Sequence, residues 1–181
     1  MNELSLVDAI QGRTARIAVG ASTVRGLRVK GVVAAARAFL RKIELKQFGV
    51  RDAKAFASRL DITTEQLRKA LPRGAQHWGI ARKVLNIFVR DALYNVYLRD
   101  AYHLDRVEAF LEVPLDSITA KQLKKAAGRR GLPKWVGVKY VTPAFNSLFQ
   151  ANAAQLAAER SVARVHLDAY WWSASRDAVA P

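Results

Sequence analysis

Lys83 and Asp116 are the residues whose types and settings could do chemistry. Lys83 opens a very apolar run, ARKVLNIF, and Asp116 follows Pro114-Leu115 in LEVPLDS, directly before a helical pattern. A neutral amine is a nucleophile, and a carboxylate stabilises positive charge that develops beside it. Free lysine titrates near pH ~10.4, so such an amine needs desolvation or a cationic neighbour. Arg82 and Arg90 are candidates for the cationic field, and the apolar helix for the desolvation. Each residue also has an ordinary role: Lys83 as a solvated side chain early in a helix, Asp116 as an N-cap.

The charge of the chain narrows the partner. Thirty Lys and Arg stand against 15 Asp and Glu in 181 residues, a formal charge of +15. That excess favours a polyanion and accelerates encounter with it. An apolar content of 51% excludes a disordered tail. With no cysteine there is no disulfide, thiolate zinc site, iron–sulfur cluster or thiol nucleophile. His77, His103 and His166 lack the i, i+4 partners of a helical metal site, so no metal centre is expected, and no cofactor is assigned. No signal peptide and no run of about twenty apolar residues is found, so a cytoplasmic protein without a membrane partner is expected.

The elements that must hold Lys83 and Asp116 read as helices nearly throughout. Residues 1–21 are expected to be an arm or a short first helix. A helix capped by Ser22 or Thr23 and ended by Gly49 carries Val29, Val32, Val33, Ala36, Phe39, Leu40 and Ile43 on one face. Asp52 caps a shorter helix, and Thr63 with Gln66 forms a capping box for another, ending near Leu71-Pro72. Gly74 and Gly79 bracket a turn. The helix from about Ile80 to Ala101 is apolar almost all round and belongs at the centre of the fold. Its polar exceptions Lys83, Asn86 and Arg90 share one stripe, read as facing a cleft or an exposed edge. Leu104, Val107, Phe110 and Leu111 give a short connecting helix broken by Pro114. Asp116 and Ser117 then open a helix ended by Gly128. Thr142-Pro143 begins the next, and ARVHLDAYWW is read as a last helix. The expected architecture is all-α, one helical domain over 1–181. Two lobes surround a cleft: residues 1–65 with 142–181, and 66–141 carrying the hairpin.

The segment LRKALPRGAQHWGIARKVLN resembles a variant helix-hairpin-helix, in which backbone N–H groups of a glycine-containing turn hold a DNA phosphate. In the helix-hairpin-helix DNA glycosylase superfamily the hairpin has the form L-P-G-x-G-x-K. Leu71-Pro72 match its start, and Gly79-Ile80-Ala81-Arg82-Lys83 is similar to its end. VPLDSITAKQL is similar to the family's later segment, an apolar residue followed by Asp and a small hydroxyl residue. The likeness covers roughly residues 67–125. It departs from the pattern in the residues between Pro72 and Gly79, and in Ala81 at the second hairpin glycine. The 33-residue separation of Lys83 and Asp116 resembles the archaeal 8-oxoguanine glycosylase branch.

The resemblance implies a DNA repair N-glycosylase, with or without abasic-site lyase activity, acting as a monomer on duplex DNA with a damaged base. Lys83 would attack the sugar C1′ and Asp116 would be the catalytic carboxylate. Gly74, Gly79, Arg82 and Arg90 would meet the nucleic acid; beyond the likeness, Arg129, Arg130, Lys134 and Lys139 are a solvated loop or, through their mixture with Trp135 and Tyr140, a surface that grips a nucleic-acid strand. His77, Trp78 or Trp135 would hold the extruded base. The alternative is a non-catalytic helical nucleic-acid-binding protein that keeps the hairpin as a phosphate clamp. A third reading is a helical adaptor for an acidic protein. Tyr170, Trp171 and Trp172 are read as packing aromatics.

Overall fold

The computed structural model describes residues 5–177, and every regular element among them is helical. The first helix, α1 (Leu6–Ala18), is capped by Ser5 and makes the expected arm a helix of 13 residues. The helix expected from Ser22 or Thr23 is much shorter: α2 spans Val32–Leu40. Gly26, Arg28 and Gly31 all have positive φ, which turns the chain repeatedly before α2 can start. Thr23 instead finishes α1, its hydroxyl donating to the Ala18 carbonyl and accepting from Gly20 N–H. The buried Gln11 amide of α1 donates to the carbonyls of Leu40, Arg41 and Ile43, satisfying the end of α2.

Residues 53–70 form one helix, α3 (Ala53–Ala70), where two were expected. Asp52 does cap it, accepting from Ala55 N–H at 2.7 Å. Thr63 and Thr64 are buried inside it, and the Thr64 hydroxyl donates back to the Leu60 carbonyl, so no capping box forms. The long central helix is correspondingly broken. α4 (Trp78–Tyr94) ends at Asn95, whose extended backbone and side-chain oxygen cap α5 (Val96–Tyr102) through Tyr97 and Leu98 N–H. The connecting helix 104–110 is a tighter 3₁₀ segment.

Asp116 caps α6 (Ser117–Ala126), and a single turn, α7 (Gly128–Gly131), follows. Thr142 caps α8 (Pro143–Glu159) with proline in its first turn, and the last helix is α9 (Leu167–Asp177).

Apolar packing divides the core in two. One cluster runs from Ala15 to Leu111 and adds Val165. The other starts at Val113 and includes Ala120, Leu123, Phe149, Ala153, Leu167 and Trp171. Phe149, Ala153, Ala157, Leu167 and Trp171 thus pack with Val113 to Val141, while Val165 joins the first cluster. α4 lies against both clusters: Ile80 to Leu93 fill the first, and Trp78 packs on the second.

Candidate functional site

Where the two clusters meet, α4 brings a row of polar side chains into the interior. Lys83 and Asn86 are buried and Arg90 nearly so, hence the polar stripe faces other helices and not solvent. Lys83 Nζ lies 3.5 Å from Asp116 Oδ2 and donates to the Thr23 carbonyl at 3.2 Å. The two Asp116 oxygens divide their work: Oδ1 accepts from Ile118 and Thr119 N–H, leaving Oδ2 toward the amine. A residue from the central helix and a helix cap 33 positions later are therefore in contact. The 20–31 segment meets the amine through the Thr23 carbonyl.

Arg82 and Arg90 occupy places that the sequence pattern did not anticipate. The Arg82 guanidinium forks onto Glu112 at 2.8 and 2.9 Å, and its third nitrogen donates to Asp61 and Thr64. Its cationic plane also lies 5.2 Å from the Trp78 ring. Asn86 and Asn146 amides add hydrogen bonds to Glu112. Burial works to raise the Glu112 carboxyl, but the bonds and charge of Arg82, with Asn86 and Asn146, outweigh it and hold the group below its ordinary range. Arg82 is thus a tie between α3, α4 and residue 112, not a surface cation for phosphate.

Arg90 pairs with Asp91 at 2.8 Å and with Asp168 of α9. Both arginines are spent on carboxylates, so neither supplies the free cationic field expected around Lys83. Asp168 joins the same row: it also accepts from the Thr119 hydroxyl. Burial pushes its carboxyl up; Arg90 opposes that, the nearby Asp116 charge adds to it, and the result stays above the ordinary aspartate range. The row ends at the surface, where His166 bridges the Tyr94 hydroxyl at 2.8 Å and the Glu108 carboxylate at 2.5 Å. The sequence signal for Asp168 and His166 was only an acid and a histidine about the start of the last helix; their convergence with Arg90, Tyr94 and Glu108 comes from packing.

The remaining candidates scatter. Gly74 is exposed in the 3₁₀ turn Arg73–Ala75 that joins α3 to α4, in reach of Val29. Gly79 is not in that turn but inside α4, buried: a Cβ there would lie 2.1 Å from the Val138 carbonyl oxygen. Its role is to let the 138–141 turn sit on the helix. His77 is the half-buried residue before α4 and makes no capping bond with its side chain. Trp135 packs against Phe145 and Phe149 at 6.1 Å, in the second cluster. Lys134 and Lys139 are exposed. The side chains of Arg129 and Arg130 lie outside the described residues.

Cavities of about 390 and 380 Å³ lie elsewhere, one between α3 and α8 and one beside Phe48; Lys83 and Asp116 line neither. Among the described residues no group of three or more His, Asp or Glu is arranged to hold a metal ion, and no helix is long and apolar enough to cross a membrane. No family model, curated protein or solved structure matches the chain.

Proposed function

We propose that the protein is a DNA repair N-glycosylase with an abasic-site lyase step, working as a monomer on chromosomal DNA at the nucleoid. Lys83 is its nucleophile and Asp116 its charge-stabilising carboxylate. The observation that carries the reading is the 3.5 Å approach of Lys83 Nζ to Asp116 Oδ2 in a buried setting. A helix cap with one oxygen held by backbone N–H groups presents the other in a fixed direction, as a group that stabilises transition-state charge should. The α3–turn–α4 hairpin supports the reading through its likeness to a phosphate-holding element.

The chemistry follows from these groups. The damaged nucleotide leaves the stack, and the Lys83 amine exchanges the Thr23 carbonyl for the sugar. The Lys83 ammonium gives one proton to the departing base, and the lone pair so freed attacks C1′ as the C1′–N bond breaks; the base leaves with the electron pair of that bond and with the lysine's proton. Asp116 Oδ2 stabilises the positive charge that builds on the sugar. Loss of the amine proton and opening of the sugar ring leave an imine between Lys83 and C1′. Removal of a C2′ proton then expels the 3′ phosphate, and water hydrolyses the imine to return lysine.

A second reading, the non-catalytic phosphate clamp, is favoured by two observations: Lys83 and Asp116 line neither cavity, and the amine is bonded to Thr23. Borohydride separates the two. Duplexes carrying 8-oxoguanine, uracil or an abasic site are incubated with the protein and borohydride, which reduces the imine to a stable amine. A covalent adduct lost in Lys83→Gln supports the enzyme. Absence of any adduct, with salt-dependent DNA binding retained, supports the clamp.

A further inference from the structure

The turn that lies on the buried Gly79 exposes an aromatic ring among cations. Tyr140 is 60% exposed and Val136 44%, while Trp135 between the same cations is turned inward against Phe145 and Phe149. Lys139 Nζ stands 4.7 Å from the centre of the Tyr140 ring, and Lys134 is exposed on the same stretch. Val138 and Val141 hold the turn to α4, and Tyr140 projects between them.

Position gives the ring a use. Gly79 and Lys83 are four residues apart on α4 and so lie on one face. The 138–141 turn covers that face at Gly79, and Lys83 follows one helical turn later, a rise of about 6 Å. A strand whose sugar reaches Lys83 has its neighbouring nucleotides within range of the turn. An exposed aromatic face with flanking lysines is the chemistry that holds single-stranded nucleic acid: the ring stacks on a base and the cations meet phosphate.

We propose that the Lys134–Tyr140 turn is a stacking platform for unpaired DNA, with Tyr140 carrying a base and Lys134 and Lys139 the adjoining phosphates. The proposal deepens the reading given above, and shares with it the assumption that DNA is the partner. Intact duplex, whose bases present no free face, binds here only through its phosphates.

The test compares a single-stranded oligothymidine with an oligomer of equal length whose sugars carry no bases, by fluorescence anisotropy at fixed salt. The wild-type protein binds oligothymidine more tightly. Tyr140→Ala weakens that binding roughly tenfold and leaves the base-free oligomer almost unaffected, while Tyr140→Phe behaves as wild type. Equal wild-type affinity for the two oligomers, or unchanged oligothymidine binding by Tyr140→Ala, overturns the platform. Failure of the wild-type protein to bind either oligomer while it still binds duplex overturns the platform alone; failure to bind duplex as well overturns the DNA reading with it. A trapped Lys83 adduct beside an inert Tyr140→Ala overturns the platform alone.

Discussion

Replacing Glu112 with alanine tests the account of how α4 is held where the two clusters meet. The change removes two of the four hydrogen bonds of the Arg82 guanidinium, whose side chain is only 7% exposed, and the acceptor of the Asn86 and Asn146 amides. Breaking a buried ion pair on one side costs about 3–5 kcal/mol. Asp61 still holds one Arg82 nitrogen but is largely exposed, so the lower end, about 3 kcal/mol, is expected. For a chain of this size that lowers Tm by roughly 10 °C. Urea denaturation followed by tryptophan fluorescence measures it, and a loss under about 1 kcal/mol would falsify the reasoning. Pairing Arg82→Met with Glu112→Leu recovers most of the stability, because both charges then leave together. If the pair is as unstable as Glu112→Ala alone, an isolated charge is not the cause. Acid gives a second readout. The folded Glu112 carboxyl is lowered, so its contribution is present at neutral pH and is lost as pH falls below the ordinary glutamate range toward the lower folded-state value. Glu112→Gln lacks that part of the acid-induced loss.

Three further outcomes are expected. On the proposed glycosylase reading, Asp116→Asn keeps the cap of α6 and its stability but abolishes adduct trapping, whereas Asp116→Ala also loses about 1 kcal/mol in denaturation. Gly79→Ala drives a Cβ against the Val138 carbonyl and costs about 1–3 kcal/mol, with a changed Tyr140 environment in its NMR spectrum. A duplex-binding titration across salt loses roughly two units of slope when Lys134 and Lys139 both become glutamine; an unchanged slope would remove these lysines from the DNA surface.

Local physics made much of the protein legible in its sequence. Asp52, Asp116 and Thr142-Pro143 announce helix starts because the side-chain oxygens that cap a helix act over two or three residues. The all-helical class follows from apolar spacing for the same reason. Where local signals competed, pattern alone misjudged: Thr63 mimics a cap but lies inside α3, and an apolar run hid the break at Asn95.

The sequence by itself determined that the chain is basic, helical and equipped with a lysine and a capping aspartate. Tertiary structure alone decided which charges remain available. Arg82 and Arg90 have the same residue type as a surface phosphate contact, yet packing commits them to Glu112, Asp61, Asp91 and Asp168. The same packing puts Lys83 beside Asp116, turns Trp135 inward and leaves Tyr140 outside. Burial and ion pairing arise between segments distant along the chain, and no periodicity in one segment records what the other brings to meet it.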